Sequence, residues 1–288
     1  MSTIGTWVEK LAQQFEQHDL FYGHGTDNAW DEAVHLVLGV MALPLDSDES
    51  VAKLSVSQAQ QQQLEKLAKR RIEERMPVSY LLGEAPFLNL SFKVTQDVLI
   101  PRSPVAELIA QQFLPWIAPH QIKNIVDVGT GSACIAIASA VYCPQAQVDA
   151  IDICDKAIAV AEENVKRHDL ADRVHVLKCN LFDGLPDKRY DIIISNPPYV
   201  PDRNLAPLPA EYQHEPIDLA LASGEDGLAH TRYLLAHAKD HLTEHGILIV
   251  EVGESEEAVK KAFPELPLTW VEFAHGGEGV FIIAKEML

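Results

Sequence analysis

Cysteine is scarce in this chain. Its 288 residues hold four, Cys134, Cys143, Cys154 and Cys179, and no two form a CxxC pair. That excludes a disulfide-framework scaffold and a cysteine-based zinc site, and points to reduced thiols in or near a core. Basic residues are also few, 23 Lys and Arg against 42 Asp and Glu, a formal net charge of -19. A surface so acidic repels phosphate backbones, which argues against nucleic-acid binding and favours a basic protein partner. Long apolar runs are missing as well. The longest uncharged stretch, Val128 to Val148, carries two glycines, Pro144 and two glutamines, so it reads as strand, turn and helix rather than as a membrane span. Charged residues come as early as Glu9 and Lys10, unlike a secretory leader. The expectation is a cytoplasmic protein without membrane association. No HExxH pattern occurs. His237, His241 and His245 recur every four residues before Gly246, but they read as solvated histidines at a helix end, so no metal is expected.

The chain divides by periodicity. Over residues 1–84 the pattern is helical. Ile4, Val8, Leu11 and Phe15 share one face, and Asp27 or Asn28 caps a stripe of Trp30, Val34, Val37, Leu38 and Met41. Ser57 and Gln60 form a capping box for a helix with Leu64, Leu67, Ala68 and Ile72, stopped by Pro77. A small helical bundle follows, with no chemistry visible in it. Residues 85–121 form a linker whose first part alternates like a short hairpin through Phe87, Leu90 and Phe92. Over residues 122–288, short apolar runs at Asn124–Val128, Gln147–Ile151, Arg173–Leu177, Asp191–Ser195 and Gly246–Val252 are mostly separated by helical stretches. This alternation predicts an α/β unit with a parallel sheet covered by helices, and Leu268–Ala274 with Val280–Lys285 predicts a terminal antiparallel hairpin.

Chemistry collects at the carboxyl ends of these strands. The first runs into Asp127-Val128-Gly129-Thr130-Gly131-Ser132-Ala133, where two glycines allow a tight turn and close approach to a ligand. A dinucleotide fingerprint needs a third glycine where Cys134 stands, which argues against NAD. Asp152 ends the second strand, where an acid can accept from both ribose hydroxyls of an adenosine; the competing reading is a helix cap. Asn180-Leu181 after the third strand can offer an amide and an apolar wall to adenine. The fourth ends in Ser195-Asn196-Pro197-Pro198-Tyr199. Neither proline has an N–H, so the carbonyls and the Asn196 side-chain oxygen are left as acceptors for a planar NH₂ group, which the Tyr199 ring can cover. Glu251, Gly253 and Glu254 close the fifth strand near this cleft, either shaping the pocket or capping a helix.

The loop Asp127–Ser132, Asp152 and Asn196–Tyr199 together resemble the S-adenosylmethionine-dependent N5-glutamine methyltransferases, and the helical leader, the hairpin and Ile100-Pro101-Arg102 extend the likeness over nearly the whole chain. The sister release-factor branch usually reads Ile-Pro-Arg-Pro-Asp-Thr-Glu. Here Ile100-Pro101-Arg102-Ser103-Pro104-Val105-Ala106-Glu107, with Tyr22–Asn28 and Glu211–Pro216, resembles the PrmB-type branch, which modifies a glutamine of large-subunit ribosomal protein L-three. The resemblance implies a Rossmann-like class I methyltransferase sheet with a terminal hairpin. It also implies that Asp127, Gly129, Thr130, Gly131, Ser132, Ala133, Asp152, Asn180, Leu181 and Asn196 bind S-adenosylmethionine, and that Asn196, Pro197, Pro198 and Tyr199 hold the glutamine. Ala133 stands where the family usually has glycine, implying one methyl of crowding at the cofactor, and Asn180 where it usually has aspartate. The rival readings are the same chemistry on a release factor, amino-group methylation of a nucleic acid, and a non-catalytic assembly factor.

Overall fold

The computed structural model describes residues 2–288. Helix α1 (Ile4–Glu16) begins at a reciprocal cap between Thr3 and Thr6 and buries Ile4, Trp7, Val8, Leu11 and Phe15. Helix α2 (Ala29–Val40) is capped by the Asn28 side chain, which accepts from the Asp31 N–H at 2.9 Å. Its buried face keeps Val37 and Leu38 of the expected stripe but not Trp30, which is 51% exposed; Ala29, Glu32, Ala33 and Leu36 also face inward. Glu32 is tolerated there because Arg71 of helix α3 (Gln58–Glu73) reaches it at 2.9 Å. The Ser57–Gln60 capping box forms as the spacing predicts. Helix α4 (Val78–Leu82) ends at Gly83 in the left-handed region, and strands β1 (Glu84–Phe87) and β2 (Leu90–Lys93) pair as an antiparallel hairpin.

Helix α5 (Val105–Ala110) leads into a seven-stranded sheet. In chain order its elements are β3 (Asn124–Val128), α6 (Cys134–Tyr142), β4 (Gln147–Asp152), α7 (Asp155–Arg167), β5 (Val174–Lys178), β6 (Tyr190–Ser195), α8 (Ile217–Ala220), α9 (Ala229–His241), β7 (Leu242–Glu251), α10 (Glu256–Ala262), β8 (Thr269–Trp270) and β9 (Val280–Ala284). Spatially the strands run β5-β4-β3-β6-β7-β9-β8. The first five in that order are parallel, while β9 runs antiparallel to β7 and to β8. Both faces are covered, and alternation along β6 shows it: Ile192 and Ile194 join the core on one face and Ile193 the core on the other. Each fully buried side chain of this size contributes ~1.5–3 kcal/mol.

Two boundaries depart from the expected pattern. β8 covers only Thr269–Trp270, because the Glu107 carboxylate accepts from the N–H groups of Ala274 and His275 at 3.0 and 2.8 Å and draws the rest of that segment to α5. Helix α9 stops at His241, so His245 lies in β7 and not on the helix. No helix among the described residues is long and apolar enough to cross a membrane. The chain progresses from β3 outward to β5 and then returns to place β6 on the other side of β3. That reversal opens a crevice beyond the carboxyl ends of β3 and β6, where open α/β sheets bind ligands.

Candidate active site

The crevice is a cleft of about 280 Å³. One wall is the loop after β3. Gly129 and Gly131 have φ of 76° and 54°, and a Cβ built on either would point into open space. Thr130 and Ser132 also line the cleft, and Ser132 Oγ is buried with no partner among the described residues. Asp152, at the end of β4, ties this loop down: one carboxylate oxygen accepts from the Gly131 N–H at 3.0 Å and the other from the Cys154 N–H at 2.9 Å. It lines the cleft, while the N-cap of α7 is Cys154. Asn180 and Leu181 complete this wall beside the end of β5.

Two residues assigned to the cofactor by sequence lie behind the loop. Asp127 is buried, accepts from Thr130 Oγ1 at 2.6 Å and from the Ala136 N–H at 3.2 Å, and does not line the cleft. Burial pushes its carboxyl up to about 7, against the downward pull of those bonds. Ala133 is the N-cap of α6 at φ 63°, with its methyl in the core.

The facing wall is the turn after β6. Ser195 Oγ donates to the Val128 carbonyl at 2.8 Å, bracing β6 against β3. Asn196, Pro197 and Pro198 line the cleft. Among the described residues, no hydrogen bond is donated to the carbonyls of Pro197 or Pro198. Tyr199 turns away from the cleft lining. Its ring rests on Gly253, where an added Cβ would approach ring atoms to 2.9 Å, and its carbonyl accepts from Ser255 Oγ at 2.8 Å. Burial raises its hydroxyl above the ordinary phenol range.

Beneath the turn lies a group that the sequence left between pocket wall and helix cap. Glu251, the last residue of β7, is 6% exposed. Ser103 Oγ donates to it at 2.5 Å, and the register that pairs Ser195 with Val250 sets Asn196 beside the same carboxyl. Burial pushes this carboxyl up to about 7, and Ser103, Arg102 and Asn196 oppose the shift. The Ile100-Pro101-Arg102-Ser103 segment thus reaches the turn by way of Glu251. Arg102 pairs with both oxygens of Glu215 at 2.5 and 2.9 Å, which fixes Pro216 and Asp218 of the cleft rim. The stretch containing Glu211 and Glu215 is joined to the helical leader. Arg71 bridges Glu32 and Glu211 at 2.9 and 3.0 Å and donates to the Phe21 carbonyl at 2.8 Å. No spacing signal in the sequence links Arg71 to Glu211. The histidines expected at a helix end serve packing: His237 stacks on Tyr233 and His241 leans on Phe182.

The sequence has relatives over nearly its whole length. A ribosomal protein uL3 glutamine methyltransferase from Francisella tularensis subsp. tularensis is 38% identical over 289 residues, spanning 100% of this chain and 92% of the relative. One from Xanthomonas campestris pv. campestris is 44% identical over 283 residues, spanning 98% and 91%. The chain belongs to the uL3 glutamine methyltransferase family. The model of the methyltransferase small domain matches residues 108–208 of this methyltransferase, from α5 through the turn after β6. Its fold resembles a methyltransferase from Pyrococcus furiosus, at 17% identity and a TM-score of 0.50 over 80% of this chain and 99% of that one. It also resembles the hMettl16 catalytic domain, solved in complex with MAT2A 3'UTR hairpin 6, at 18% identity and a TM-score of 0.53 over 81% and 83%.

Proposed function

We propose that this enzyme transfers the methyl group of S-adenosylmethionine to the side-chain amide nitrogen (N5) of a glutamine in uL3, the large-subunit ribosomal protein L-three, in the cytoplasm. The observation that carries this reading is that one cleft joins a glycine cradle to the unengaged carbonyls of Pro197 and Pro198. The cradle fits the cofactor. Gly129 and Gly131 leave space that a side chain would fill, Ser132 Oγ lacks a partner, and Asp152 keeps lone pairs for ribose hydroxyls. Leu181 supplies an apolar wall for the adenine, and Asn180 an uncharged polar one.

When bound, S-adenosylmethionine supplies a methyl already activated by its sulfonium, so the protein's share of the work is placement. An amide nitrogen is a poor nucleophile because its lone pair is delocalised into the carbonyl. The Asn196 side chain and the Pro197 carbonyl accept one N–H each and turn the nitrogen towards the cradle. Such alignment contributes ~7–11 kcal/mol. The same acceptors favour a pyramidal nitrogen as positive charge develops on it. No general base is required, since the proton can leave afterwards to water. Tyr199, held on Gly253, stiffens the receptor from behind. The net charge of -19 suits a basic ribosomal protein and opposes direct RNA binding. The helices α1–α4, locked to the Glu211 stretch through Arg71, help dock the protein substrate. Asn196→Ala should abolish turnover while leaving cofactor affinity by calorimetry within about twofold; near-normal turnover would refute the receptor.

A further inference from the structure

Strands β6 and β7 are parallel neighbours, and Ser195 stands opposite Val250. Asn196 directly follows β6 and Glu251 ends β7, so the register sets the receptor amide beside a buried carboxyl. The surroundings of that carboxyl are already committed. Ser103 Oγ accepts from the Val105 N–H at 3.2 Å and donates to Glu251 Oε2 at 2.5 Å. Arg102 and Tyr199 are the other charged or titratable groups acting on Glu251. The remaining neighbour is the Asn196 side chain, one residue beyond the Ser195–Val250 pair and within reach to donate to the carboxyl.

A side-chain amide has a donating end and an accepting end, and the Glu251 carboxyl, ionised above about pH 7, then only accepts. With Asn196 donating to Glu251, its NH₂ faces inward and its oxygen faces the cleft. The flipped amide would set its oxygen against a carboxylate oxygen in a dry site, at the cost of an unmade buried hydrogen bond. It would also present an NH₂ to the incoming substrate NH₂, donor against donor. We propose that Glu251 is a positioning residue of the methyl transfer, which fixes the Asn196 side chain with its oxygen towards the substrate nitrogen and is itself held in place by Ser103. This inference rests on the reading of Asn196 as the receptor of the substrate amide.

Two variants of the full-length enzyme, assayed on uL3, separate orientation from packing. Glu251→Gln keeps an oxygen to accept from Asn196 and an NH₂ to donate to Ser103 Oγ, so its kcat should stay within about threefold of wild type. Glu251→Met keeps the volume but offers Asn196 no oxygen; its kcat should fall at least tenfold while the Kd for S-adenosylmethionine changes less than twofold. Equal kcat in the two variants would overturn the proposal, as would a Gln variant as impaired as the Met variant. The cofactor isotherm identifies a Met variant that has not folded. Glu251→Asp then replaces it, with the carboxylate retracted by one methylene, and the same tenfold loss is expected, wild-type kcat being the contrary result. If wild type methylates no glutamine of uL3, the functional reading fails first; if it does and these variants behave alike, only the role of Glu251 falls.

Discussion

Replacing Arg71 by methionine tests how the helical leader is joined to the rim of the cleft. Arg71 is fully buried and makes three hydrogen bonds, to Glu32, Glu211 and the Phe21 carbonyl. Methionine nearly preserves the volume, leaves the buried Glu32 without its cation, and leaves Glu211 only the partly exposed Arg75 at 3.7 Å. Removing one partner of a buried ion pair costs ~3–5 kcal/mol. For a chain of this size that is a fall in Tm of about 6–20 °C. The deficit should depend on pH. Burial already pushes Glu32 up to about 7 even with Arg71 beside it. Without that cation its pKa rises further, so mild acid neutralises the stranded carboxyl, and the loss should be smaller at pH 6 than at pH 8. Thermal unfolding followed by circular dichroism at both values reads this directly. Adding Glu32→Leu and Glu211→Leu should recover most of the stability, because it removes the uncompensated charges. A fall in Tm below about 2 °C, or an equal fall at both pH values, would refute the reasoning.

Asp152→Asn offers one acceptor oxygen where two backbone N–H groups are now held. At ~1.5–3 kcal/mol for a hydrogen bond to a charged group, its Kd for S-adenosylmethionine should rise about 10–100-fold, and unchanged affinity by calorimetry would remove Asp152 from the cofactor site. Ala133→Gly should leave that Kd within about twofold, because the methyl lies in the core and not in the cleft; markedly tighter binding would restore the crowding that the family resemblance implies. His24 is held down to about 3, first by burial and then by Arg102 and Arg71. It therefore contributes stability that is present above its ordinary value of 6.5 and is lost as pH falls from there towards 3. The advantage of wild type over His24→Asn should shrink below pH 6.5 by up to about 1.4 kcal/mol per pH unit, and a difference independent of pH in urea unfolding at pH 5, 6 and 7 would exclude this linkage.

Strand positions were legible because burial on both faces writes them as near-continuous apolar runs. β3 begins and ends where the run Asn124–Val128 does. Elements decided by single long-range contacts were not legible. Nothing local says that Glu107 will capture Ala274 and His275 and shorten β8, or that Arg71 will let Glu32 turn inward and leave Trp30 exposed. The same limit holds at the site. Gly129, Gly131, Asp152, Asn196 and the two prolines are named by backbone chemistry, and the structure brings them to one cleft. Asp127, Ala133 and Tyr199 share those motifs but point away from the cleft, because alternation along a strand and the turn of a loop place neighbours on opposite sides. Glu251 was the hardest to read, since its importance follows from the β6–β7 register, which only the folded sheet defines.

The central claim is the identity of the methyl acceptor. S-adenosylmethionine labelled in its methyl group should be offered to the enzyme with uL3, a peptide release factor and tRNA in parallel. The account predicts label on uL3 alone, mapped by mass spectrometry to the N5 atom of one glutamine and lost with Asn196→Ala. Label on the release factor would keep the chemistry and change the substrate, while label only on RNA would contradict the account outright.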